Sequence, residues 1–139
     1  MDLRRVRGAF KMLGEGNYGL FYHSTINLRD DGYPVIAGVQ GEVEPSYPGT
    51  TGGLYESYQR GWIARPEENS LESYALKPDE WNTIEIRSRG NHVTTWVNGF
   101  RTVDFTDPEP RLFTGAFALQ LHTGAGAGID WKELYVLNE

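Results

Sequence analysis

The stretch Trp81-Asn-Thr-Ile-Glu-Ile-Arg-Ser-Arg-Gly-Asn-His-Val-Thr-Thr-Trp-Val-Asn-Gly-Phe-Arg-Thr-Val-Asp-Phe105 decides the fold class. It contains three runs that read as strands, 81–89, 92–97 and 101–105, separated by Gly90-Asn91 and Asn98-Gly99. Apolar and polar residues alternating at period two mark a strand with one buried face. Asn-Gly between two such runs is the strongest short-range hairpin signal, because both residues tolerate the positive φ that a tight turn demands. The segment reads as an antiparallel meander with Ile84 and Ile86 on its core side.

Outward from the meander, strands are expected at 3–11, 18–26 and 35–44, a short hairpin within 54–64, a strand over 115–122 and a closing strand over 129–137. Turn formers fill 45–53, a run too long for a tight hairpin and therefore a rim loop. The 17 glycines, 8 tyrosines and 4 tryptophans favour short strands and tight turns over helices. No repeat or linker divides the 139 residues, a length that suits one domain. Strands at this spacing imply a sandwich of two antiparallel sheets, with a barrel as the alternative.

Two strands carry more than packing information. In Gly115-Ala-Phe-Ala-Leu-Gln-Leu-His122, Phe117, Leu119 and Leu121 form one row, while Ala116, Ala118, Gln120 and His122 form the other. The first row is expected in the core. In Val35-Ile-Ala-Gly-Val-Gln-Gly-Glu-Val43, the apolar Val35, Ala37, Val39 and Val43 alternate with Gly38, Gln40 and Glu42. If the two strands share a sheet, Gln40, Glu42, Gln120 and His122 project together from the side away from the core. Each alone reads as surface; together they make a candidate binding face.

Several chemistries are set aside. A net charge of −6 without a Lys/Arg run argues against nucleic acid. The chain has no cysteine, hence no disulfide and no thiolate ligand or nucleophile. The opening Met-Asp-Leu-Arg-Arg-Val-Arg lacks an apolar signal core, and no run approaches the ~18 apolar residues of a membrane span, so a soluble chain is expected. Walker loops and Gly-x-Ser-x-Gly elbows are missing. His23, His92 and His122 are far apart, so no metal ligand set is assigned and no cofactor is expected; a divalent cation at His122 and a carboxylate is the alternative. Glu42 and Glu44 stand about 7 Å apart on one strand face, but without the Glu-x-Asp-x-x-Glu pattern of laminarinase-type glycosidases. Tyr55, Glu56 and Arg60 make a sugar-reading set beside the rim loop, with a plain Glu56–Arg60 surface ion pair as the bland alternative. Trp81, Trp96 and Trp131 read as packing residues, whereas Trp62 is placed to line a cleft.

Taken in order, these pieces resemble the bacterial 3-keto-disaccharide hydrolase family. The matches are Asn17-Tyr-Gly-Leu-Phe-Tyr-His23, Ala37-Gly-Val-Gln-Gly-Glu42, Gly53-Leu-Tyr-Glu56 with Arg60, Glu80-Trp-Asn82, Trp96-Val-Asn-Gly99, Val103-Asp-Phe-Thr-Asp-Pro108 and Leu119-Gln-Leu-His122. The resemblance implies a concanavalin A-like jelly-roll sandwich that cleaves glycosides already oxidised at C3. It implies His122 or Glu42 as the base, Glu56 or Tyr55 as the leaving-group acid, and Gln40, Gln120 and Arg60 as binders of the ketone and hydroxyls. His23 and Trp62 are further expected substrate contacts, and a periplasmic or extracellular setting is implied. The rival expectation is a non-catalytic, lectin-like carbohydrate-binding module. Tyr18, His23 and Glu42 depart from the family's serine, arginine and aspartate. The chain also begins part-way through the family's sandwich, without its leading strands, which leads to the expectation of a homodimer through an open sheet edge.

Overall fold

The computed structural model describes residues 3–109, 115–122 and 126–139. Among them, ten strands form two antiparallel five-stranded sheets. In chain order the strands are β1 (Leu3–Met12), β2 (Tyr18–Leu28), β3 (Pro34–Val43), β4 (Leu54–Ser57), β5 (Gly61–Ala64), β6 (Asn82–Arg89), β7 (His92–Val97), β8 (Phe100–Thr106), β9 (Ala116–Leu121) and β10 (Ile129–Asn138). Sheet A has the order β10-β1-β6-β7-β8 and sheet B the order β5-β4-β3-β2-β9. The expected all-β sandwich is present. A short 3-10 turn, Leu71–Tyr74, was not foreseen; Ser70 caps it by accepting the Ser73 N–H at 3.3 Å.

The meander forms as its turns dictate. Asn98 and Gly99 both have positive φ, 50° and 81°. The Asn98 side chain does more than turn the chain: it accepts from the Thr83 N–H and donates to Ala75 O and Asn82 Oδ1, tying the incoming loop to the hairpin. The core gathers Val6 and Phe10 from β1, Tyr18, Leu20 and Tyr22 from β2, Val43, Leu54, Ile84, Ile86, Val93, Val97 and Val103. Tyr18, where the family carries serine, points inward. Its hydroxyl donates to Gly14 O and accepts from Gly128 N–H, both at 2.9 Å, so the buried phenol is satisfied while it joins two turns.

The expected core row on β9 needs correction. Leu119 lies opposite the buried Leu20 and so faces the core side, but it is 44% exposed, and Leu121 is 58% exposed. The face was read correctly and the burial was not. β9 is an edge strand of sheet B and β10 an edge strand of sheet A, so among the described residues no further strand lies beyond them to enclose the space between. Arg4 reaches into that space, its guanidinium 4.5 Å from the centre of the Phe117 ring and donating to Gly115 O at 2.8 Å. Phe117 and Val39 are partly buried against the core, and Val35 is half-buried, short of the full burial expected. Leu20→Ala should therefore cost about 2–5 kcal/mol and Leu119→Ala under about 1 kcal/mol in chemical denaturation. Equal losses would show that Leu119 is covered.

Candidate functional site

The site lies on the face of sheet B that points away from the core. Residues directly opposite one another on paired strands share a face, and the register sets two rows. One runs Gln120, Gly19, Glu42 across β9, β2 and β3. The other runs Ala118, Phe21, Gln40, Tyr55, Trp62 across β9 to β5. Gly19 is the floor: a Cβ there would stand 2.0 Å from Gln40 Oε1 and 3.2 Å from Gln120 Oε1, so any side chain would displace the amides. Tyr55 and Trp62 form a wall, their rings 5.4 Å apart and nearly perpendicular, with Trp62 partly exposed.

The polar groups are ordered by one another. Gln40 and Glu42 are almost fully buried, at 1% and 3% exposure. Gln40 Nε2 donates to Glu42 Oε2 at 3.1 Å, and Asn17 Nδ2 donates to Glu42 Oε1. The Asn17 carbonyl in turn accepts the His122 N–H at 2.9 Å, fixing where β9 ends relative to β2. Gln40 Oε1 and Gln120 Oε1 are buried without any hydrogen-bond donor. Buried polar atoms are nearly always paired, so two unmatched acceptors over one glycine point to a donor supplied by a ligand or solvent.

Two carboxylates, Glu42 at the end of β3 and Glu44 just past it, are driven in opposite directions. Burial pushes Glu42 up to about 7; the nearby Glu44 adds to the rise, while the Asn17 hydrogen bond and the His122 charge oppose it. Burial also acts on Glu44, but hydrogen bonds from Ser46, from the Thr50 hydroxyl and from the Thr50 N–H outweigh it and hold that carboxyl below its ordinary value. A neighbouring pair held apart in this way can supply a proton-accepting and a permanently charged group at neutral pH.

The structure brings Gln40, Glu42, Gln120, Tyr55 and Trp62 onto one face, with His122 at its end just past β9. It does not bring Glu56, Arg60 or His23 there. Glu56 is opposite Val39 and two residues from the buried Leu54, so it faces the core side. Arg60 donates to Glu56 Oε2 through Nε at 2.9 Å and grips Asp107 bidentately at 2.8 Å. Asp107 follows β8, so this largely buried cluster clamps the β4–β5 hairpin of sheet B to sheet A. The expected alternative of a surface ion pair is corrected too, since removing one partner of a buried pair typically costs about 3–5 kcal/mol. His23 is turned inward by a β-bulge: Phe21 pairs with Gln40 but His23 with Val39, so Tyr22 is extra and strict alternation fails. The His23 ring then sits between the sheets, Nε2 3.4 Å from Ser88 Oγ.

Asn17, Gly19, Glu44 and Asp107 were not assigned to the site or its support by residue type. A glycine between Tyr18 and Leu20, on a strand otherwise rich in large residues, was the available signal for Gly19. Among the described residues, no group of three or more His, Asp or Glu side chains is arranged to hold a metal ion. No helix among them is long and apolar enough to cross a membrane.

Residues 5–137 match the family model described as the 3-keto-alpha-glucoside-1,2-lyase-like domain, the family that the ordered motifs resemble. Among solved structures, a proposed glycosyl hydrolase from Parabacteroides distasonis aligns with a TM-score of 0.63 at 17% identity, over 98% of this chain and 72% of that one. The carbohydrate-binding module CBM66 from Bacillus subtilis aligns at 0.61 and 9% identity, over 98% of this chain and 75% of that one. A tetrameric galectin from the sponge Cinachyrella sp. aligns at 0.54 and 13% identity, over 94% and 89%. At such identities the likeness is one of fold. No curated protein matches the chain significantly.

Glu42 makes stability pH-dependent with a definite sign. Its folded pKa lies above the ordinary glutamate value of 4.5, so its contribution is fully present below about 4.5 and is lost as pH rises through about 7. The loss is on the order of 3 kcal/mol. Glu42→Gln should flatten the fall in melting temperature between pH 5 and pH 8, read by circular dichroism. An unchanged profile would place the Glu42 carboxyl in water.

Proposed function

The chain belongs to the 3-keto-alpha-glucoside-1,2-lyase-like family, and from that premise we propose that the outer face of sheet B binds a carbohydrate and cleaves glycosides whose C3 hydroxyl is already a ketone. The observation that carries this reading is the pair of buried, donorless oxygens of Gln40 and Gln120 over Gly19, beside Glu42 and the Tyr55–Trp62 wall. Hydroxyl-rich ligands supply the missing donors, and an aromatic wall offers an apolar surface to a sugar ring.

A C3 carbonyl acidifies the C2 proton. A base takes that proton, the electrons pass into an enolate, and the bond from C1 to the glycosidic oxygen breaks as the enone forms. The departing oxygen takes a proton from an acid, and water added to the enone completes hydrolysis. Glu42, buried and raised toward neutrality, or His122 at the rim is the base; Tyr55 is the acid. Gln40 and Gln120 hold sugar hydroxyls. Glu56 and Arg60 leave the reaction for the inter-sheet clamp. No cofactor enters the proposal. A divalent cation at His122 and a carboxylate is the alternative means of stabilising the enolate, and persistence of activity after chelation would dismiss it.

A second reading, a non-catalytic carbohydrate-binding module, is favoured by one observation: Arg60, the expected cation at the ketone, lies on the other side of β4. On either reading the protein acts where such sugars are met, in the periplasm or outside the cell, and a homodimer through the β9 edge covers Leu119 and Leu121; a monomer by sedimentation at micromolar concentration contradicts that assembly.

The experiment is to supply a 3-keto-glycoside and its unoxidised parent. Turnover of the first alone is expected, reduced roughly 10²–10⁴-fold in the variant lacking the base, His122→Ala or Glu42→Gln. Whichever variant keeps full activity is excluded as base. Binding of both sugars without turnover of either establishes the module instead.

A further inference from the structure

The state of Gln40 contains a choice that the proposed reaction does not use. Its Nε2 donates to Glu42, and its Oε1, donorless, shares the space over Gly19 with the donorless Gln120 Oε1. A carboxamide has nearly the same shape when its oxygen and nitrogen are exchanged, so a half-turn about its last torsion is sterically free. Turned, Gln40 presents its NH2 toward Gln120 and its oxygen toward Glu42. Only a protonated Glu42 has a hydrogen to give that oxygen; only an ionised one is a full acceptor for the amide in its first orientation. Each orientation of Gln40 therefore belongs to one charge state of Glu42.

We propose that Gln40 is a positioning residue that couples recognition of a sugar hydroxyl over Gly19 to loss of the proton from Glu42. This rests on the proposal that the face binds a carbohydrate. When Glu42 is protonated, its carboxyl donates to Gln40 Oε1 and the Gln40 NH2 faces Gln120 Oε1, which matches each group with a partner; the orientation the structure shows, with both oxygens donorless, is the one that an ionised Glu42 holds. An arriving hydroxyl donates to the oxygen pair and selects the orientation in which Gln40 Oε1 faces outward. Its Nε2 then donates to Glu42, whose proton passes to solvent, while Asn17 donates to the carboxyl in both states. Two adjacent free hydroxyls satisfy both oxygens; ethers and deoxy positions carry no donor and exert no such pull. Ligand arrival thus creates the ionised base that removal of a C2 proton requires.

Among the described residues, the groups around Glu42 are few. Glu44 follows just past the end of its strand, Asn17 reaches it from the turn before β2, β2 itself offers Gly19, β9 brings Gln120 with His122 beyond it, and β4 places Tyr55 opposite Gln40. Burial and Glu44 favour the protonated form, and Asn17 and His122 the anion, leaving the carboxyl balanced at about 7, where either can be populated. Because the ligand selects the anion, binding must weaken as pH falls below that value, approaching tenfold per pH unit, and must release a proton when it occurs.

Calorimetry with methyl α-D-glucoside at pH 6, in two buffers of different ionisation heat, reads the released protons directly. Close to one proton per bound sugar is expected, retained in His122→Asn and abolished in Gln40→Met, whose affinity should no longer follow pH. Binding without proton release, or release that disappears with His122→Asn, overturns the coupling. A readout without ligand stands beside it: in the free protein, the Gln40 side-chain amide resonances should move with the same midpoint as the Glu42 carboxyl carbon, and Gln120→Met should lower that midpoint. Gln40 resonances that stay still while Glu42 titrates also overturn the coupling. If methyl α-D-glucoside does not bind, the calorimetry is run with its 3-keto form; if neither binds, the carbohydrate reading fails and the free-protein titration decides the coupling by itself. Circular dichroism of each variant confirms that the fold is retained.

Discussion

The register of β2 between β3 and β9 is the constraint on which the rest depends. Gly19 is paired on one side with Glu42 and on the other with Gln120, and this double pairing puts a carboxyl, a gap and a carboxamide in one line. A slip of one residue would exchange faces, sending Leu20 into water and the polar row into the core. The buried Tyr18 and Leu20, on the opposite side of the same strand, oppose that slip. The apolar half of β2 thus holds the polar half in place, although the two never share an environment.

That arrangement carries a thermodynamic penalty. A buried carboxyl balanced near neutrality, and two oxygens left donorless in the Gln40 orientation that the structure shows, lower the stability of the protein without ligand. Functional sites commonly hold such destabilising groups when the surrounding structure over-determines their positions. Here the support is Asn17, which fixes Glu42 through its side chain and the end of β9 through its carbonyl. Further off, the Arg60 clamp secures β4 and β5, and so the Tyr55–Trp62 wall, against sheet A. Glu56 and Arg60 therefore affect the site through the scaffold, without facing the ligand.

How much of this was legible in the sequence depended on whether periodicity stayed regular. The meander and its Asn98-Gly99 turn were readable because local chemistry alone sets them, and the Gln40/Glu42 and Gln120/His122 faces were readable because β3 and β9 alternate without interruption where they matter. His23 was misplaced because a bulge adds one residue to β2, and a bulge leaves no mark on a pattern of apolar and polar letters. Leu119 was misjudged for a different reason: alternation gives the face of a strand, but burial depends on its position in the sheet, which only the strand order supplies. Arg60 fell between these cases. Its spacing from Glu56 was visible, but its second carboxylate, Asp107, is 47 residues away.

The central claim is that ligand is held on the outer face of sheet B over Gly19. Chemical-shift mapping on isotopically labelled protein, with a 3-keto-glycoside added, tests it most directly. The account predicts that the largest changes fall on Gly19, Gln40, Gln120 and the Trp62 indole, with Arg60 and His23 little affected. Changes centred on Glu56, Arg60 and Gln59, on the other side of β4, would contradict it.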